Sequence, residues 1–232
     1  MFDTLLSFWR GKDFLTQVLG DFKQMLDHAE NMFAMVSQAL LDNKAEPDLR
    51  EKVYSVDKEI NQLERGIRQR IIEHLSLQPS VNTSSCLCLM SVVKDAERLG
   101  DYTKNLYEVI GLLDKPINRE IFAEYFDDLD KEILTLFRQT KEAFIESDDN
   151  KAKSSWEVKT RLAKECDTIL AKVVKSDLGT NRGICYALMA RYFKRIIAHL
   201  VNIATSVVLP ISDLDYFDEK RAENYQEDPP EI

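Results

Sequence analysis

The sequence predicts an all-α protein: six long helices arranged as two pseudo-repeated three-helix bundles, preceded by an extra short N-terminal helix. Three observations carry this expectation. Apolar residues make up 44% of the 232-residue chain and recur at three- and four-residue steps over long windows, as one buried helix face requires. Glycine numbers only 7, about 3% of the chain against roughly 7% in average usage, too few for the turns of an all-β protein. Pro47, Pro79, Pro116 and Pro210 stand between or after the periodic windows, where proline ends a helix.

The first window runs through Phe14, Leu15, Val18, Leu19, Phe22, Met25, Leu26, Ala29, Phe33, Val36 and Leu40, and Asn43 to Asp48 ends it. Leu49, Val53, Val56, Ile60, Leu63, Ile67, Ile71 and Leu75 form the second, a heptad-like seam. Gln78-Pro79 breaks that seam, and Thr83, Ser84 and Ser85 offer N-caps to a third helix reaching Leu113. A fourth is expected over Asn118 to Ser147, with Phe122, Phe126, Leu129, Ile133, Leu136, Phe137 and Phe144 as its stripe. The fifth follows Asp148-Asp149 through Trp156, Leu162, Cys166, Ile169, Leu170 and Val173, and the sixth lies between Gly179–Gly183 and Pro210. Each pattern exceeds six turns. Setting Asn202 over Asn105, an offset of 97, superposes Cys185 on Cys88 and Arg195 on Arg98, so the economical organisation is a bundle over 12–115, a second over 116–213 and an acidic tail over 214–232.

Composition removes several function classes. None of the glycines forms GxGxxG or a Walker A loop, which disfavours a nucleotide-binding α/β enzyme. Net charge is −9, and the residues from Ile211 onward hold eight acids against Lys220 and Arg221, opposing nucleic-acid binding, which needs a basic face. Cys86, Cys88, Cys166 and Cys185 contain no CxxC, and Cys86 and Cys88 would point apart on a helix, so free buried thiols in a reducing compartment are expected. Ile196 to Leu209 is too short to span a bilayer, and Met1 to Lys12 lacks a basic secretory n-region; a cytoplasmic protein follows. Met1 to Trp9 is amphipathic but carries too little positive charge to favour an anionic membrane, so it reads as a packed helix.

One stretch concentrates polar chemistry. Glu97, Asp101, Asn105 and Glu108 share one face of the third helix, with Gly100 between the first two. Carboxylates at i and i+4 repel and Gly costs about 1 kcal/mol against Ala in a helix interior, so the stripe needs compensation from cations or from a bound metal. Oxygen donors suit hard ions such as Mg²⁺, Mn²⁺ or iron. Asp57, Asn61 and Glu64 form a matching stripe on the second helix, and if the two helices are antiparallel neighbours both rows meet in one groove. Spacing alone favours a salt-bridged face, because Lys94, Arg98 and Lys104 flank the acids.

Asp57-Lys-Glu-Ile-Asn-Gln-Leu-Glu64, Gln78-Pro79 and Glu97-Arg-Leu-Gly-Asp-Tyr-Thr-Lys-Asn105 together resemble the first repeat of the PhoU family of phosphate-uptake regulators. The likeness covers the helix pattern of nearly the whole chain, but motif identity only residues 53 to 110. It implies two three-helix bundles and a divalent or trivalent metal ion of the iron, Mn or Mg class, ligated by Glu97 and Asp101 with Asp57 and Asn61 opposite. It implies a homodimer and, as partners, phosphate transporter components or a sensor histidine kinase, with membrane association only through such a partner. The second repeat departs from this pattern: Lys194 and Ala198 stand where acids are expected, and Val158 and Leu162 read as the counterparts of Asp57 and Asn61. One metal site, in the amino-terminal half, is therefore expected.

The remaining candidates have plainer readings. A ferritin-like di-iron site needs Glu three residues before His, but Met25, Ile71 and Ile196 precede His28, His74 and His199. His199 reads as an interface histidine, and Met25, Met32, Met35 and Phe33 as core. No nucleophile–base pairing is visible, so a non-enzymatic regulator is expected ahead of a metal-free helical adaptor, with a hydrolase built on Asp57, Glu97 and Asp101 third. Tyr216, Phe217 and Tyr225 in the tail read as partner contacts or as solvated residues.

Overall fold

The structure, a computed structural model, describes the backbone over residues 2–42 and 48–214 and the side chains over 14–41 and 48–214. The acidic tail beyond Leu214, the segment with Pro47 and the side chains of the amphipathic start lie outside these residues. Seven α-helices are described: α1 (Phe2–Asp42), α2 (Leu49–Leu77), α3 (Thr83–Leu112), α4 (Arg119–Phe126), α5 (Leu129–Glu146), α6 (Asp149–Val174) and α7 (Thr180–Thr205), followed by a 3-10 turn at Ile211–Asp213.

Helices α1, α2 and α3 pack against one another, as do α5, α6 and α7, and the two triplets meet where α3 lies on α7 and α1 on α5. One apolar core runs through both, from Phe22, Met25 and Phe33 on α1 to Phe126, Tyr186 and Phe193 on the far side. Aromatic edges lock the junction: Phe33 lies 5.9 Å from Phe193 in a T-shaped contact, and Phe126 lies 5.8 Å from the same ring. Met25, Met32 and Phe33 are fully buried, as core residues should be, whereas Leu19 in the same stripe stays 42% exposed.

The 97-residue offset survives in the backbone. Thr83 and Thr180 open α3 and α7, and Leu77 and Val174 close α2 and α6. In that register the counterparts of Asp57 and Asn61 are Ser154 and Val158 rather than Val158 and Leu162; Leu162 is fully buried core.

Three further expectations need correction. The N-terminal segment is not a separate short helix, because α1 continues through it without a break for 41 residues. The fourth window is two helices. Asp127 has φ 45° and ψ −125°, a conformation L-residues rarely adopt, and the chain turns there before Asp128 O accepts from Lys131 N and Glu132 N to start α5. Phe122, Phe126, Leu129 and Ile133 are nevertheless all buried; the apolar stripe is continuous although the backbone is not, so periodicity could not reveal the break, and at 18 residues α5 falls short of six turns. Finally, Ser84 and Ser85 do not cap α3. Asn82 holds the N-cap position with a left-handed backbone and no side-chain cap bond, while the Thr83 hydroxyl donates back to Pro79 O at 2.7 Å.

All four cysteines are free thiols, three of them buried. Burial, with Glu165 alongside, pushes the Cys166 thiol up to about 12, against about 8.5 for a free cysteine. Since the thiolate is the nucleophile, Cys166 in the native protein should resist a thiol reagent at pH 8 and react only once urea unfolds the chain. Native-state labelling of Cys166, read by peptide mass spectrometry, contradicts this.

Candidate functional site

The site lies where α2 and α3 run side by side. Tyr54 meets Glu108, Asp57 meets Lys104, Ile60 meets Gly100 and Lys94 approaches Glu64. Residue numbers fall on one helix as they rise on the other, so the pair is antiparallel and the two polar stripes share one groove. Gly100 explains the closeness: a Cβ there would stand 3.0 Å from Ile60 Cδ1. The helix-weakening glycine thus lets α2 approach α3 and brings their charged edges within bonding reach.

Along the groove four carboxylates alternate with four cations. Lys104 Nζ donates to both oxygens of Asp57 at 2.9 Å and to Asp101 Oδ1 at 3.3 Å. Arg98 donates to Asp101 Oδ2 at 2.8 Å and stands 3.7 Å from Glu97. Lys94 donates to Glu97 at 2.8 Å and lies 4.0 Å from Glu64, which pairs with Arg68 at 3.0 Å. The Glu64–Arg68 contact is an ion pair without an aligned hydrogen bond, since the buried Glu64 Oε1 and Arg68 Nε have no hydrogen-bond partner. Burial pulls the Lys104 ammonium down, but its bonds to Asp57 and Asp101 outweigh that and leave its pKa above the ordinary lysine value. Beyond the ladder, the Tyr54 hydroxyl donates to Glu108 at 2.9 Å, and that bond raises the phenol.

Of the residues expected to hold a metal, Asp57 and Asp101 converge on a single point, the Lys104 nitrogen. Glu97 is engaged one helical turn away with Lys94 and Arg98, and Asn61 sits half-buried one turn along α2 from Asp57. Two convergent carboxylates, with water completing the shell, fit a hard cation of the Mg²⁺ class. Among the described residues no three His, Cys, Asp or Glu side chains stand close enough to hold a metal between them. The ladder has no equivalent in the second triplet: Lys194, at the place of Glu97, donates to both oxygens of Asp167 at 2.6 Å, and the place of Lys104 falls on the buried apolar Val201.

A second polar cluster was not visible in the sequence. Asp95, 7% exposed on α3, bonds through Oδ1 to His199 Nδ1 at 2.7 Å and to Asn202 Nδ2 at 3.1 Å, both on α7. Tyr102 stacks on the His199 ring at 5.5 Å and lies 6.2 Å from Tyr192. The offset of 97 converts Asp95 into Tyr192 and Tyr102 into His199, so the two contacts are one contact repeated about a pseudo-twofold between α3 and α7. His199 is the interface histidine that was expected; its carboxylate partner sits more than a hundred residues away in the chain.

The geometry defines a class, an all-helical protein of two packed helix triplets, and known proteins share it. The structure is similar to the phosphate transport system regulatory protein PhoU from Streptococcus pneumoniae, at a TM-score of 0.72 and 18% identity over 87% of this chain and 95% of that one. It is also similar to PhoU from Pseudomonas aeruginosa, at 0.73 and 22% identity over 85% and 96%. At these identities the likeness is one of fold. Residues 22–110 match the PhoU domain model, and 97 residues are 37% identical to the phosphate-specific transport system accessory protein PhoU homolog of Synechocystis sp. (strain ATCC 27184 / PCC 6803 / Kazusa). That match covers 41% of this chain and 42% of the relative, less than half of its length. The PhoU domain match spans the second half of α1, all of α2 and nearly all of α3, less than half of the chain.

Two outcomes test this description. Gly100→Val drives a branched side chain into Ile60 and should lower stability by roughly 1–3 kcal/mol in urea unfolding; an unchanged midpoint contradicts the close approach. Asp95→Ala leaves His199 and Asn202 without their acceptor and should cost roughly 1–3 kcal/mol. Its double-mutant cycle with His199→Ala should show non-additivity, and strict additivity would mean that the contact does not couple α3 to α7.

Proposed function

We propose that this protein is a non-catalytic regulator of phosphate transport and phosphate signalling, acting in the cytoplasm through contacts with a phosphate transporter component or a sensor histidine kinase. The observation that carries this reading is the match of residues 22–110 to the PhoU domain, because that segment contains the whole α2–α3 groove. Long helices sharing one core offer a broad, rigid face to a partner. The absence from the described helices of any stretch long and apolar enough to cross a membrane is compatible with a role exercised through a membrane-bound partner.

In this reading the groove is also a hard-cation site. Asp57 and Asp101 would hold the ion, and Glu97 and Asn61 would contribute only after side-chain rearrangement. A bound ion would add positive charge to a surface whose acids and bases otherwise balance, and so alter the charge offered to a partner. A metal-free mode of the same regulator is favoured by one specific observation: every carboxylate of the ladder already has a cationic neighbour.

Deleting the gene in its host and measuring phosphate uptake tests the regulatory reading. Uptake under phosphate-replete conditions should rise and return to normal on complementation, and the purified protein should retain phosphate-transporter components or a sensor kinase in a pull-down. Unchanged uptake together with no captured transporter or kinase would sink the proposal and leave the helical adaptor.

A further inference from the structure

In the two carboxylates that converge on Lys104, each oxygen already accepts from a cation. Asp57 spends both oxygens on Lys104, each at 2.9 Å, and Asp101 spends Oδ1 on Lys104 and Oδ2 on Arg98. Lys104 is not a loose surface lysine: its side chain is 21% exposed, and those of Asp57 and Asp101 are 14% and 26% exposed. It stands three residues after Asp101 on the same helix, so it reaches that carboxylate from its own turn and crosses to Asp57 on α2 with the same ammonium.

We propose that Lys104 is a tethered counter-cation that occupies the Asp57–Asp101 pair and must be displaced before a divalent ion can bind there. The inference rests on the groove being a hard-cation site and adds to it an internal competitor. A tethered group meets its partners at an effective concentration of roughly millimolar or above, without the loss of translational freedom that a dissolved ion incurs. Carboxylate oxygens that accept from an ammonium cannot at the same time present those lone pairs to a metal. Arg98 is the lesser obstacle, because it takes one oxygen of Asp101 and none of Asp57. Lysine, a compact charge on a flexible stem, can swing out of the groove, so the occupation is reversible: ammonium in, ion out, or the converse.

The test uses the full chain and Mn²⁺ alone, titrated calorimetrically into wild type, Lys104→Met, Lys104→Arg and Lys104→Met combined with Asp57→Asn and Asp101→Asn. Lys104→Met should bind Mn²⁺ at least tenfold more tightly than wild type. Lys104→Arg should stay as weak as wild type because it keeps the charge, and the triple variant should lose the gain. Thermal melts give a second readout: Mn²⁺ should raise the Tm of Lys104→Met by more than that of wild type. If Lys104→Met is poorly folded without metal, Lys104→Gln replaces it and the same comparison with Lys104→Arg applies. Tight binding by wild type that depends on Asp57 and Asp101, with no gain in Lys104→Met or Lys104→Gln, overturns the role of Lys104 and leaves the cation site standing. Failure of every protein to bind Mn²⁺ overturns the cation site and the role of Lys104 together.

Discussion

Helix α3 is packed on several sides at once, and every polar group it carries inward must find a partner on a neighbouring helix. Towards α2 it presents Glu97, Arg98, Asp101 and Lys104; towards α7 it presents Asp95 and Tyr102. A buried charge without a partner costs several kcal/mol, on the order of a large share of a domain's whole stability. The two interfaces therefore have little freedom of register. Sliding α2 by one turn would take Asp57 away from Lys104 and Ile60 away from Gly100, and sliding α7 would strip Asp95 of both donors.

The energetic weight is unequal between these contacts. Arg98 and Lys94 have side chains more than 40% exposed, and exposed pairs of that kind contribute about 0–1 kcal/mol each. Their value lies in keeping like-charged carboxylates from repelling along the groove. The Asp95 cluster is drier and ties the two triplets together, so losing one member leaves buried polar atoms unsatisfied and costs more than the pair itself contributes.

Pseudo-symmetry shows what divergence has changed. The backbone keeps its 97-residue repeat, yet Glu97, Asp101 and Lys104 become Lys194, Ala198 and Val201 in the second triplet. Two carboxylates and a lysine have been replaced by one lysine and two apolar residues, so the local charge reverses from −1 to +1 and the capacity to gather hard oxygen donors is gone. At the α3–α7 crossing the change runs the other way: a tyrosine pair on one side of the pseudo-twofold is an aspartate–histidine pair on the other. A repeated fold has thus been made asymmetric at its polar positions while its apolar core stayed continuous.

Much of this was legible in the residues alone. Three- and four-residue apolar periodicity, scarce glycine and placed prolines determined an all-helical protein, because they reflect local geometry that each helix obeys on its own. The acids of the groove, and the lysines and arginine that could balance them, were visible as stripes for the same reason. Their pairing was not, since one lysine on α3 chooses among several carboxylates only when α2 is docked at a given height. The turn at Asp127 was hidden because the buried stripe continues across it. The Asp95–His199 contact was hidden because its members belong to different helices more than a hundred residues apart. Periodicity records which side of a helix is buried; only the packing of one helix on another decides which polar atoms meet.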